Sequence, residues 1–157
     1  MTPESITVSL DLAKQLRDAG YPQGFSGVFA PQTVERIDQI LPANQLDGSY
    51  FYWMDVRSDY TKGEPSPQVE SIYCNYPMIA AAPTAEEILR KLPEVLYLGE
   101  ERVAVYLNAL PDDNKWIVSY SEERNCDVPD FWKRDKESLA NAAAAMYLYL
   151  FSHNLLP

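Results

Sequence analysis

The 157-residue chain reads as a single α+β domain over residues 1–157: an antiparallel sheet of about four strands, formed as two hairpins and packed with three to four helices. Three observations carry that reading. Two stretches alternate apolar and polar residues around a turn, at Val103, Val105 and Leu107 and then at Trp116, Val118 and Tyr120. Helical stripes bracket them, one with a capping box at Thr84 and Glu87. Composition is globular, with 46% hydrophobic and 23% charged residues.

The elements follow in the order α-α-β-β-α-β-β-α. Leu12, Ala13, Leu16 and Ala19 share one face of a helix starting at Ser9. Gly20 stops it and Pro22 forbids continuation. A second helix is expected over residues 31–41, opened by Pro31, striped by Val34, Ile37, Ile40 and Leu41, and ended by Pro42. Residues 44–48 form a turn cluster. Residues 49–56 have the aromatic content of a strand, and residues 69–76 read as its return after a loop holding Lys62, Gly63, Pro65 and Pro67. The third helix opens at Thr84 and closes at Pro93, with Ile88, Leu89 and Leu92 on its apolar side. Residues 102–109 and the strand from Trp116 to Tyr120 make the second hairpin around Pro111-Asp112-Asp113-Asn114. Residues 96–98 are either a short extra strand or the entry to that hairpin. The last helix is expected over residues 136–153, capped by Asp135, with Leu139, Ala142, Ala143, Met146 and Leu150 as its stripe. Four alanines at 142–145 give it a slim surface for close approach to a sheet.

Four segments carry a resemblance. They are Ser9-Leu10-Asp11-Leu12-Ala13-Lys14-Gln15-Leu16 leading to Gly20-Tyr21-Pro22-Gln23, then Tyr50-Phe51-Tyr52-Trp53, then Ala82-Pro83-Thr84-Ala85-Glu86-Glu87-Ile88-Leu89, and the alanine-rich run from Leu139 to Leu150. Spread over most of the chain, they resemble a family of small, uncharacterised proteins encoded by bacteriophages and prophages. The resemblance implies origin and a cytoplasmic location in a bacterial host cell. It implies no activity.

Charge narrows the partners. Thirteen Lys and Arg against 23 Asp and Glu leave a net charge of −10. Direct binding of nucleic acid needs clustered cations on phosphates, and an acidic membrane surface needs a basic patch. Neither partner is expected. The longest apolar stretch, residues 142–151, is far short of a bilayer span. No basic segment followed by an apolar run opens the sequence, which fits a cytoplasmic expectation.

Candidate chemistry is sparse. Cys74 and Cys126 fit no metal spacing, and both thiols are expected to be reduced. Glu122, Glu123 and Asp127 would disfavour a thiolate at Cys126, and Cys74 reads as a small core residue. Any Ser-His or Cys-His mechanism would need His153, the lone histidine, which reads instead as a partner for the C-terminus of the last helix. The pairs Glu86-Glu87, Glu100-Glu101, Asp112-Asp113 and Glu122-Glu123 lack the spacing of a calcium loop, and no glycine-rich phosphate loop exists. The reading is therefore no metal, no cofactor and a leaning away from an enzyme.

The 11 tyrosines and 3 tryptophans are more informative. Along an extended strand Tyr50 and Tyr52 face one way, Phe51 and Trp53 the other. In a single sheet, one of those faces stays near solvent, where Tyr and Trp suit recognition. Tyr50, Tyr52, Trp53, Phe131 and Trp132 are the candidate binding residues. The expected function is protein–protein binding by a phage-encoded accessory protein, with a basic host protein as one target and an inhibitory or anti-defence role. Two other readings stay open: a small-ligand or enzymatic site lined by tyrosines, and an assembly role. The chain is expected to be a monomer, or a homodimer joined at a sheet edge or through the last helix.

Overall fold

The structure is a computed structural model that describes residues 3–23, 39–46, 49–55, 78–122 and 133–157. It is α+β with antiparallel sheets, as the sequence predicts, but the strands are shared between two sheets rather than gathered in one. The chain divides into two compact units, Met1–Glu4 with Ser9–Pro83 and Ser5–Val8 with Thr84–Pro157. A one-turn helix, α1 (Pro3–Ile6), opens it.

The first unit holds α2 (Leu10–Asp18), β1 (Gln39–Leu46), β2 (Ser49–Asp55) and β3 (Met78–Ala81), with the three strands in the order β1-β2-β3. Helix α2 begins after Ser9, as its stripe predicts, and buries Ala13 and Leu16. Its end is a Schellman closure: Tyr21 N–H donates to Leu16 O at 2.9 Å and Gly20 N–H to Arg17 O at 3.0 Å, with Gly20 at φ +83°. That left-handed conformation is why glycine stands there.

Two expectations change here. The helix proposed for residues 31–41 lies mostly outside the described residues, and its end, from Gln39 onward, is strand β1. Leu41 precedes Pro42, and a residue before proline is pushed from the α region toward extended backbone. The turn cluster at 44–48 begins later than expected, because Asn44 to Leu46 continue β1 and only 47 and 48 separate Leu46 from its partner Ser49. Strand β2 pairs with β1 and β3. The proposed return strand at 69–76 lies outside the described residues.

The second unit holds α3 (Ala85–Leu89), β4 (Val95–Leu98), β5 (Val103–Asp112), β6 (Lys115–Ser121), β7 (Lys133–Lys136) and α4 (Leu139–Ser152). Its strands form an antiparallel meander, β4-β5-β6-β7. The predicted hairpin is β5–β6, with Asp112 opposite Lys115 and a tight turn in which Asp113 takes φ +48°. Residues 96–98 prove to be a strand, not only the entry to one. The capping box of α3 is complete: Thr84 Oγ1 accepts from Glu87 N–H, and Glu87 Oε2 accepts from Thr84 N–H at 2.7 Å. Thr7, almost fully buried, bridges to Thr84 in an antiparallel contact.

Helix α4 packs on α3 and on β6 and β7. Ala140, Ala142, Ala143, Ala144, Met146 and Leu150 are buried along it, so the alanines do provide a close-packing surface. It starts later than expected. Ser138, not Asp135, is the cap, accepting from Asn141 N–H at 3.1 Å, because Asp135 is committed to β7 opposite Ile117. His153 ends the helix, its Nδ1 2.8 Å from the Tyr149 carbonyl oxygen and its ring against Tyr149. That placement is the predicted helix-terminal one.

Candidate functional site

Three of the aromatic candidates, Tyr50, Tyr52 and Trp53, lie together on β2. Tyr50 is half-buried, while Tyr52 is 7% exposed and its neighbour Phe51 1%. Adjacent strand residues point to opposite faces, so β2 is covered on both sides at this point. A single sheet with one wet face does not occur here, and Tyr52 offers no open aromatic surface. Trp53 occupies β2 between Leu41 and Met78, and its side chain is outside the description. Phe131, Trp132, Cys74 and Cys126 lie outside the described residues.

What the fold exposes instead is a sheet edge. Edges present unpaired backbone N–H and C=O groups, and soluble proteins blunt them with charge, proline, bulges or covering groups. Among the described residues the two sheets have four edges. On β3 the outward groups are capped by side chains of the same unit: Arg17 Nη1 donates to Ile79 O at 2.8 Å, and Gln23 Oε1 accepts from Ala81 N–H at 2.8 Å. Strand β1 carries Pro42 and an irregular register between Leu41 and Asn44. Strand β7 is Lys133-Arg134-Asp135-Lys136, charged at every position.

Among the described residues, strand β4 has none of these devices. Its sequence is Val95-Leu96-Tyr97-Leu98, with no charge and no proline. The hydrogen-bond phase follows from one contact, Leu107 N–H donating to Glu94 O at 3.0 Å. Antiparallel ladders alternate between bonded and non-bonded pairs. Leu96 and Leu98 therefore bond to Val105 and Val103, whereas the backbone groups of Val95 and Tyr97 point away from β5. No described residue pairs with them.

The side chains around this edge are of the kind found at binding hot spots. Tyr97 is 59% exposed, and the Arg102 guanidinium sits 5.2 Å from the centre of its ring. Val103, on the neighbouring strand, is also exposed. The turn between them is tight, with Gly99 at φ +71° and Arg102 at φ +52°, and carries exposed Glu100 and Glu101. Residues 96–98 stand out in the sequence only as a short apolar run. Their position at a sheet edge depends on which strands pair, and no local signal gives that.

The second unit also contains perturbed phenols. Tyr120 is fully buried, donates its OH to Pro93 O at 2.6 Å, and has its pKa raised by desolvation. Burial raises that of Tyr147 too. A phenol held neutral at all ordinary pH values is a structural donor. Among the described residues no three His, Cys, Asp or Glu side chains gather as metal ligands, and no helix is long and apolar enough to cross a membrane.

Compared with protein-family models, curated proteins and solved structures, the chain matches none.

Proposed function

We propose that the chain is a phage- or prophage-encoded accessory protein that works by binding another protein, and that it does so at the free edge of β4. The observation behind this reading is the contrast among edges: β1, β3 and β7 are each guarded, while the outward backbone of Val95 and of the exposed Tyr97 is unpaired among the described residues. An extended segment of a partner would add a strand here, its backbone giving affinity and contacts with Tyr97 giving selectivity. Net charge −10 favours a basic host protein as target, in an inhibitory or anti-defence role within the cytoplasm.

The test is capture of partners from infected and uninfected host lysate by the tagged protein and by Val95→Pro. The Val95 N–H points away from β5, so proline there leaves the β4–β5 ladder intact, removes an outward donor and places a ring in the path of an incoming strand. A stoichiometric protein retained by wild type and lost by the variant supports the reading. Equal capture by both, or no captured protein, refutes it.

A further inference from the structure

We propose that a second copy of this chain occupies the β4 edge, the two β4 strands running antiparallel about a two-fold axis at Leu96. This rests on the reading of that edge as an interaction surface and names its occupant in the purified protein.

The phase of the edge suits self-pairing. Its outward groups belong to Val95 and Tyr97, one residue either side of Leu96. Rotation about Leu96 sets Val95 opposite Tyr97 of the second copy, and Tyr97 opposite its Val95. Each such pair exchanges two N–H···O bonds, so every outward group of the strand is used. The two four-stranded sheets become one of eight strands.

Side chains agree with that register. Tyr97 meets a β-branched valine across the junction, a favourable cross-strand pair. Leu96 meets Leu96 of the second copy on the opposite face. No charge lies within β4, so two chains of net charge −10 can meet there without opposing like charges in the strand.

The flanks decide direction. Before β4 stand Arg90, Lys91 and Glu94, and after it Glu100, Glu101 and Arg102, all six exposed, so one flank carries a net single positive charge and the other a net single negative charge. Arg90 also pairs with Glu86 in its own chain. Antiparallel pairing brings the net-positive flank of each copy to the net-negative flank of the other, twice over. Parallel pairing would set like against like.

Sedimentation of the purified protein over a wide concentration range, at low and high salt, tests this. The expected result is a reversible dimer of twice the 17.9 kDa chain mass, weakened by salt. Val95→Pro removes two of the four bonds and should raise the dissociation constant by about tenfold or more. Tyr97→Lys, which restores the kind of guard seen on β7, should do the same without touching the ladder. Site-resolved hydrogen exchange should show the Val95 and Tyr97 amides slowing as concentration rises. A protein monomeric at every concentration overturns the proposal. So does a dimer whose Val95 and Tyr97 amides still exchange fast, or one that persists unchanged in both folded variants. A monomer that still captures a host protein through Val95 would sink the self-pairing and leave the functional reading standing. A β4-dependent dimer that captures nothing would do the reverse.

Discussion

Replacing Tyr120 with phenylalanine tests the packing beneath β4 with a double readout. The hydroxyl is buried and donates to Pro93 O at 2.6 Å, tying β6 to the segment that leads into β4. Phenylalanine keeps the ring and removes only that bond, which at neutral pH should lower stability by about 1–1.5 kcal/mol. The second readout is pH. Desolvation raises the folded-state pKa of Tyr120 above its ordinary value near 10. A raised folded pKa means stability that is fully present below the unfolded pKa and lost as pH rises above it, because only the unfolded chain then releases the proton. The wild type should lose about 1.4 kcal/mol per pH unit from this group above pH ~10. The variant lacks that loss, so its deficit should shrink above pH ~10 and vanish near pH ~11. Tyr147, also raised by burial, titrates alike in both proteins and cancels. Urea unfolding at pH 7, 9, 10.5 and 11 measures the gap. No deficit at pH 7 would refute the contribution of the hydrogen bond, and a deficit constant to pH 11 would refute the burial argument.

Three further substitutions have defined outcomes in the same unfolding assay. Thr84→Ala removes the hydroxyl of the capping box and should cost about 1 kcal/mol, with loss of protection at the Glu87 amide in hydrogen exchange. Ser119→Ala removes a buried hydroxyl with no partner among the described residues, so it should be neutral or stabilising by up to about 1 kcal/mol; a loss of 2 kcal/mol would show an unseen bond. Ala143→Leu adds bulk at a fully buried position on α4 and should destabilise by about 1–3 kcal/mol, whereas Ala145→Leu, at a half-buried position, should cost less.

Local chemistry was enough to read the elements whose formation is local. The capping box at Thr84, the glycine closure at Gly20 and the alternation from Val103 to Tyr120 each involve residues a few positions apart, and each appears as read. Pairing is different. Strand β7 is Lys-Arg-Asp-Lys and has no apolar alternation; it is a strand because β6 offers it an edge. That commitment moves the cap of α4 from Asp135 to Ser138. Strand β1 takes the end of a segment with a helical stripe because Pro42 and pairing with β2 outweigh that periodicity. Burial of Tyr52 beside Phe51 likewise depends on what covers each face of β2, which no alternation within the strand can report. The candidate site belongs to this second class. Val95 and Tyr97 become notable only once β5 fixes which backbone groups point outward.

The length of β4 sets how strong pairing at its edge can be. Two outward residues give four backbone hydrogen bonds, each with a net value of about 0.5–1.5 kcal/mol. Their sum, roughly 2–6 kcal/mol, reaches only the low end of the roughly 4–15 kcal/mol that association costs in lost translational and rotational freedom. Backbone pairing alone therefore gives register and direction but little affinity. The balance has to come from side chains at the junction, and Tyr97 is the large exposed one, with Arg102 over its ring. A short strand is itself a way to keep an edge from aggregating. If β4 pairs as proposed, its shortness makes that pairing reversible and its affinity is set by what an incoming strand presents to Tyr97, so a foreign strand with a better partner for that ring would displace the second copy.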